Sequence, residues 1–405
     1  MSSNKMRKLK IFLAKAGLSV LLTLIAIILL AWTVMYAVAH GPSETMRDKL
    51  IGMCLQSSAM KFLPYTVLDA EFIDQLQIAA AEGVTEVYSP SEMENRYITK
   101  IITDANGQQI EVKVLEKDDG SQVITDDSGN EQIITDEWEN AIDGIQFIQL
   151  NRSNFKAYML IIKDPSRVYC ATSTNYTTNA AGARFTEIAE REQCVALING
   201  GEFDDANGNG NGGKPRVLTY SRGVKMWEDS QYQWKTFIGF DKNDKMVVQD
   251  NLAPATAAAL NVRDGCCFRP GSISCRLIYT DANGNVHVSS VSNSSPAQRT
   301  AIGQRSDGAV IFLVTDGRSA TSIGASYDEV TQLMYEYGAV SAGMLDGGSS
   351  SMLYYRDWYN LYNVDQSKLN DYQKQGLVNN YVAATMPRRI PTYFCVAPSS
   401  DSTAN

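Results

Sequence analysis

Residues 309–351 read AVIFLVTDGRSATSIGASYDEVTQLMYEYGAVSAGMLDGGSSS. Ala309–Val314 is a continuous apolar run of the length and β-branched content of a buried strand. Ser326–Tyr337 is predicted as a helix, because its first serine and the glutamate three residues later form a capping box and apolar residues recur at helical spacing. Ala342–Leu345 is the next short strand. This order of strand, loop, helix and strand predicts a sheet with helices packed on it.

The same pattern extends toward the N-terminus. Phe155–Ile162 and Val195–Ile198 are predicted as strands, with a short helix at Phe185–Glu192 between them. We therefore predict one α/β (or α+β) domain over residues 143–398, with a mixed sheet and packed helices.

The N-terminus carries one long apolar segment. Residues 16–39 contain no charge and match the roughly 20 residues that a helix needs to cross a membrane. The tail 1–15 has five basic residues and no acid, which predicts a cytoplasmic N-terminus and an exported remainder. A cleaved signal peptide is the alternative, because Ala37-Val38-Ala39 resembles a cleavage site. The apolar run is longer than the usual signal core of about 7–15 residues, which favours an uncleaved anchor.

Two segments separate this helix from the main domain. Residues 41–96 are predicted to form a helical stalk, in which a helix from Thr45 to Leu63 ends before Pro64. Residues 97–142 are predicted to be an acidic β-hairpin insertion, because short β-rich runs alternate with turn clusters such as Asp104-Ala105-Asn106-Gly107.

Composition narrows the possible functions. The formal net charge is −9, and the tail contributes +5, so the rest of the chain carries −14. With no basic patch, nucleic acid is not expected as a partner. The two histidines, His40 beside the apolar run and His287 in a hairpin, give no serine–histidine–aspartate triad. Chemistry is therefore expected from carboxylates, arginines, backbone amides and, as a possibility, a divalent cation.

Three glycine-rich segments follow predicted strands. They are Asn199-Gly200-Gly201-Glu202, Asp316-Gly317-Arg318 and Leu345-Asp346-Gly347-Gly348-Ser349-Ser350. Glycine-rich turns direct backbone N–H groups at anions, and paired carboxylates are the usual catalytic groups of glycoside cleavage. Aspartate before glycine also stabilises ordinary tight turns, so a structural role for each aspartate stays open.

In order along the chain, these segments with Arg299-Thr300-Ala301-Ile302-Gly303 and Pro387-Arg388-Arg389-Ile390 resemble the phosphodiester glycosidase family. The resemblance covers residues 143–398, and the family includes the uncovering enzyme that removes N-acetylglucosamine from a sugar phosphodiester. It implies extracytoplasmic hydrolysis of a glycosyl-phosphate diester, here by a membrane-anchored bacterial type acting on cell-surface or exopolysaccharide phosphoglycans. The alternative is a non-catalytic envelope protein that binds anionic glycans during exopolysaccharide assembly.

The predicted site follows from these motifs. Asp316, Asp346 and Glu202 are the candidate catalytic carboxylates, and Glu202 departs from the family pattern, which often has an aromatic residue or glycine there. The predicted substrate-binding residues are Asn199, Gly200, Gly201, Arg299, Arg318, Gly347, Gly348, Ser349, Ser350 and Arg388. No cofactor is certain, and the expected partners are a phosphoglycan or sugar-phosphodiester substrate and membrane lipid around the N-terminal helix.

Overall fold

The fold is taken from a computed structural model. It describes residues 3–55, 60, 62–74, 84–86, 97–103, 109–116, 122–125, 131–133, 138, 141–173, 176, 180–205, 212–230, 235–268, 274–281, 283–291, 294–319, 322–381 and 387–400. The chain divides into two compact units, Met1–Leu76 and Gln77–Asn405. The helices are labelled in chain order: α1 (Ser3–Ala39), α2 (Glu44–Leu55), α3 (Phe185–Glu192), α4 (Pro254–Ala259), α5 (Tyr327–Glu336) and α6 (Trp358–Leu361).

The first unit consists of α1 and the short helical segments that follow it. Lys15–Ala39 of α1 has a mean hydropathy of 2.6, so this helix is long and apolar enough to cross a membrane, a test that a signal sequence also passes. The described helix α2 spans Glu44–Leu55, and the predicted helix end at Leu63 is instead the N-cap of a separate 3-10 turn that begins at Pro64. Proline at the start of that turn has no N–H to continue a preceding helix.

The largest sheet of the second unit has eight strands and the spatial order β1-β18-β17-β21-β19-β20-β7-β6. Its strands are β1 (Val84–Glu86), β6 (Ile145–Asn151), β7 (Lys156–Ile162), β17 (Arg276–Thr280), β18 (Val286–Val291), β19 (Arg299–Arg305), β20 (Val310–Thr315) and β21 (Ala339–Met344). The strands predicted at 155–162, 309–314 and 342–345 are confirmed as β7, β20 and β21. Strand β1 lies in the range predicted to be a helical stalk.

Helix α5 confirms the predicted capping box and packs against this sheet. The Ser326 backbone N–H donates to the Glu329 carboxylate at 2.7 Å, and the Glu329 N–H donates to the Ser326 hydroxyl at 3.2 Å. Val330, Leu333 and Met334 are buried on the inner face of the helix. The helical spacing of the sequence therefore corresponds to the core-facing stripe.

A second sheet, of four strands, has the order β22-β9-β23-β8. Its strands are β8 (Val168–Thr172), β9 (Ala196–Asn199), β22 (Leu353–Tyr355) and β23 (Thr392–Val396). Helix α3 matches its predicted bounds, and its buried face shares a core with Leu197 and Tyr393 of this sheet.

Three smaller sheets complete the described part of the unit. The five-stranded sheet contains β12 (Leu218–Ser221), β13 (Val224–Glu228), β14 (Thr236–Asp241), β15 (Met246–Asp250) and β16 (Val262–Phe268) in the order β13-β12-β16-β14-β15. The others are β10 (Phe203–Asp204) with β11 (Lys214–Pro215), and a meander of β2 (Tyr97–Thr103), β3 (Gln109–Glu116), β4 (Gln122–Thr125) and β5 (Glu131–Ile133).

Sheets with packed helices confirm the predicted fold class. Among the described strands every named pair is antiparallel, which selects the α+β form of that prediction. The domain boundaries at 41–96, 97–142 and 143–398 stay predictions. All seven cysteines lie among the described residues, and all are buried thiols outside disulfides.

Candidate active site

The glycine-rich loops meet because of the antiparallel register of the eight-stranded sheet. Arg299, at the start of β19, pairs with Thr315 at the end of β20, and Ala301 pairs with Met344 at the end of β21. The loops after β20 and β21 therefore leave the sheet at the same edge as the start of β19. The end of β9, from the second sheet, is hydrogen-bonded to this edge through Asn199.

Asn199 joins the two sheets and is fully buried. Its amide nitrogen donates to the Asp346 carbonyl at 2.6 Å, and its side-chain oxygen accepts from the Thr300 hydroxyl at 2.8 Å and from the Met352 N–H at 3.1 Å. Each buried group left without a partner costs about 1–3 kcal/mol. This geometry assigns Asn199 the positioning of the Asp346 loop, with no side-chain atom left over for substrate.

Gly200 and Gly201 are required by close backbone approach. A Cβ on Gly200 would lie well inside van der Waals contact with Thr392, and a Cβ on Gly201 would overlap the Cys267 carbonyl. The Gly200 carbonyl accepts from the Asp346 N–H at 3.1 Å. These glycines let the loop after β9 reach Asp346, which is a structural use of residues predicted to bind substrate.

Asp346 is a half-buried carboxylate at the centre of the loops. Burial raises its pKa to about 6, and the negative charge of Glu202 acts in the same direction. The Ser350 hydroxyl, the positive charge of Arg388 and the Gly347 N–H oppose this rise. A carboxyl group with such a pKa changes its charge close to neutral pH and is suited to acid–base or nucleophilic chemistry.

Arg388 connects the remaining polar groups to Asp346. Its guanidinium donates to the Ser350 hydroxyl at 3.2 Å and to the Asp205 carboxylate at 2.8 Å. The Ser350 hydroxyl in turn lowers the pKa of Asp346, so one polar chain runs from Arg388 through Ser350 to Asp346. Asp205 was not predicted as a site residue, although it lies only three positions after Glu202.

Three arginines form a positive cluster beside this chain. Burial, and next the charge of Arg318, lower the pKa of Arg299 to about 10. Burial and the charge of Arg388 likewise lower the pKa of Arg318 below its usual value. The guanidinium nitrogens of Arg318 lie 3.4 and 3.5 Å from the position of a Cβ on Gly348, whose φ of +61° favours glycine. Neighbouring, partly desolvated cations are the electrostatic setting in which an anion binds.

Asp316 has a different environment from Asp346. It is 3% exposed, and its two oxygens accept from the Tyr158 hydroxyl at 3.0 Å and from the Asn380 N–H at 2.9 Å. Burial raises its pKa to about 6, while these two hydrogen bonds and Lys156 oppose the rise. With both oxygens directed at the protein, its geometry supports holding the segment that contains Asn380.

Glu202 lies at the periphery of the same loops and contacts two cations. Its carboxylate forms an ion pair with Lys235, and the Arg216 Nε lies 3.9 Å away. Arg216 also pairs with Asp204 at 2.5 Å. Neither cation was predicted from the sequence, because both come from segments that carry no motif.

The remaining predicted substrate-binding residues, Gly347, Gly348 and Ser349, lie in the loop after β21. The Gly348 N–H donates to the Gln298 carbonyl at 2.9 Å, and a Cβ on Gly347 would lie 2.9 Å from the same carbonyl. The Ser349 carbonyl accepts from the Tyr381 hydroxyl at 2.6 Å, and Tyr381 in turn accepts from the Arg388 N–H at 3.2 Å. Tyr381 is a further contact that the sequence motifs did not indicate.

Over the described ranges, no group of three or more His, Cys, Asp or Glu side chains has an arrangement that could hold a metal ion. A divalent cation therefore stays a prediction without a described ligand set.

Two solved structures are similar to this chain. The catalytic domain of zebrafish N-acetylglucosamine-1-phosphodiester alpha-N-acetylglucosaminidase, auto-inhibited by its pro-peptide, is 15% identical, with a TM-score of 0.45 over 78% of this chain and 88% of that one. A putative exported protein of Burkholderia pseudomallei is 15% identical, with a TM-score of 0.41 over 81% of this chain and 89% of that one.

A curated relative matches a much shorter stretch. The SPbeta prophage-derived uncharacterized protein YomE of Bacillus subtilis is 45% identical over 53 residues, which are 13% of this chain and 8% of that protein. The sequence model of the phosphodiester glycosidase family matches residues 192–397, which are 206 of the 405 residues. This range contains every predicted site residue, and the chain belongs to the phosphodiester glycosidase family.

Proposed function

We propose that the protein hydrolyses a glycosyl-phosphate diester, with Asp346 as the reactive carboxylate. The observation that carries this proposal is the polar chain in which Arg388 donates to the Ser350 hydroxyl at 3.2 Å and both groups act on the Asp346 carboxyl. It places a carboxylate that titrates near neutral pH beside a cluster of arginines. A sugar carbon that develops positive charge and a departing phosphate need these two kinds of group at one place.

The proposed reaction breaks the bond between the anomeric carbon and the phosphate oxygen. The bonding electron pair leaves with the oxygen, and water supplies a hydroxyl to the sugar, so the products are a free sugar and a phosphomonoester. Phosphate is a good leaving group, which reduces the need for a general acid. Asp346 then acts in its ionised form, either accepting the proton of the attacking water or attacking the anomeric carbon itself.

The arginine cluster supplies the phosphate site of this proposal. Arg318 presents a planar guanidinium that matches phosphate oxygens, and the positive charge of Arg388 acts on it. Arg299 contributes positive charge, because its Nε and one of its terminal nitrogens already donate to the Ala325 and Ser295 carbonyls at 3.2 and 2.6 Å. Gly348 allows the guanidinium of Arg318 to lie close to the loop after β21. Bound phosphate would offset the repulsion among the three cations.

Isotope labelling tests the reaction directly. The purified full chain in detergent is incubated with a synthetic N-acetylglucosamine-1-phosphate methyl diester in 18O-labelled water. We expect methyl phosphate to form, as followed by 31P NMR, with the label in the sugar and none in the phosphate. Label in the phosphate would mean phosphodiesterase chemistry, and tight binding without products from a panel of such diesters would favour the glycan-binding alternative.

We further propose that α1 anchors the catalytic unit outside the cytoplasm, near cell-surface or exopolysaccharide phosphoglycans. The basic tail before Ala16 supports this orientation, and the apolar length of Lys15–Ala39 supports the span. N-terminal sequencing of the protein recovered from membranes checks it. An intact Met1 or Ser2 supports the anchor, whereas a chain that begins after Ala39 would identify a cleaved signal peptide.

A further inference from the structure

A lysine outside every sequence motif contacts the site through Glu202. Lys235 comes directly before β14, and its carbonyl accepts from the Asn251 N–H at 2.7 Å at the start of the β14–β15 hairpin. Its ammonium forms an ion pair with Glu202 and is 17% exposed. Lys235 thus joins the five-stranded sheet to the loop after β9.

The position of Glu202 is fixed by its own main chain. Its N–H donates to the Cys267 carbonyl at 2.8 Å, and its carbonyl accepts from the Arg216 N–H at 3.0 Å. The same loop accepts from the Asp346 N–H through the Gly200 carbonyl. The main chain of Glu202 is therefore fixed in the loop that contacts the Asp346 main chain, and the ion pair with Lys235 directs its carboxylate.

We propose that Lys235 is a positioning residue of the active site, which holds Glu202 and offsets the negative charge that this carboxylate directs at Asp346. The proposal rests on the function proposed above, in which Asp346 reacts in its ionised form. Without the lysine, the negative charge of Glu202 would act on Asp346 with less compensation, and like charges disfavour ionisation. Glu202 would then be balanced by Lys235 rather than used as a third catalytic acid.

Several other groups contribute to the charge around Asp346. Those that face it are Glu202 from the loop after β9, Arg388 from the segment before β23, and the Ser350 hydroxyl and Gly347 N–H of its own loop. Arg388 also contacts Asp205, and Arg216 lies 3.9 Å from Glu202 with an exposed fraction of 37%. Lys235 is the less exposed of the two cations on Glu202, so solvent screens its charge less.

Titration of Asp346 tests the proposal without relying on turnover. The full chain is labelled with 13C at aspartate carboxyl carbons, and the Asp346 signal is assigned by its loss in D346N. We expect E202Q to lower the pKa of Asp346 and K235M to raise it, each by on the order of half a unit, as for a unit charge several Å away. K235R keeps the charge and should leave the pKa close to that of the wild type.

The matched control is K225M, because Lys225 pairs with Glu228 on the exposed strand β13. This variant should not move the pKa of Asp346. Shifts of the same sign in E202Q and K235M, or no shift in either, would overturn the proposal. If K235M fails to fold, K235Q removes the same charge with a polar side chain and should likewise raise the pKa of Asp346. Absence of diester hydrolysis by the wild type would count against the proposed function alone, because the titration is measured independently.

Discussion

Replacing Asp346 by asparagine is expected to lower the turnover number for a glycosyl phosphodiester by roughly 10²- to 10⁴-fold. The substitution keeps the size of the side chain and its contact with Ser350 but removes the charge that the proposed mechanism uses. Steady-state hydrolysis followed by 31P NMR measures the effect. D371N is the control, because Asp371 lies on the exposed surface and should retain wild-type turnover.

The thermal stability of the D346N protein distinguishes a loss of catalysis from misfolding. Burial raises the pKa of Asp346 to about 6, above the value of about 3.9 for an unfolded chain. The folded state therefore binds the proton more tightly, and this group's contribution to stability is lost as pH rises from about 4 to about 6. We expect the neutral D346N protein to unfold at pH 7 at the same or a higher temperature than the wild type. A lower unfolding temperature with proportional loss of activity would contradict a catalytic role.

The pH profile of the wild type follows from the same pKa. Because the ionised carboxylate is the proposed reactive form, turnover should rise with pH through about 6 and then level off. A fall in turnover over this interval would instead make Asp346 a general acid.

Replacing Arg388 by alanine is expected to lower kcat/KM by roughly 10²- to 10³-fold, comparable to the loss of one preorganised donor from an oxyanion site. The change removes the donors to Ser350 and Asp205 and a positive charge near Asp346. Since that charge lowers the pKa of Asp346, its loss should also move the turnover midpoint to higher pH. Arg388→Lys should restore the midpoint more than kcat/KM, because an ammonium supplies charge without the planar fork.

The adjacent residue provides the control for this variant. Arg389 pairs with Glu187 at 2.5 Å and donates to the Gly182 carbonyl, away from the chain that ends at Asp346. R389A should keep kcat/KM within a few-fold of the wild type, with no change in the pH midpoint. Equal losses in R388A and R389A would reduce the role of Arg388 to packing of this segment.

Local sequence patterns predicted the helices and strands that depend on residues close together in the chain. The capping box at Ser326, the apolar run of β20 and the helix at Phe185–Glu192 all follow from spacing within a few residues, and the structure confirms them. The family was equally accessible, because its motifs are short and occur in order. The helix predicted over Thr45–Leu63 is longer than the described helix, Glu44–Leu55. Apolar spacing alone does not show where the tertiary contacts that stabilise a helix end.

The roles of individual site residues depended on contacts between distant segments. Asp316 and Asp346 each precede a glycine and look alike in sequence, yet the two oxygens of Asp316 face Tyr158 and Asn380. The pKa of Asp346 instead responds to burial, Ser350, Arg388 and Glu202. Burial and partners set the protonation and orientation of a carboxylate, and neither can be read from a single loop.

The sequence by itself determined the apolar anchor-length helix, the helix and strand types of the core, and the family, because each rests on composition, short-range spacing or motif order. The tertiary structure alone decided the antiparallel register that brings three loops to one edge. It also decided the use of Asn199 as an internal link and the pairing of Lys235 with Glu202. These features join segments that lie tens to more than a hundred residues apart, and only the folded chain brings their charges and hydrogen-bonding groups within contact.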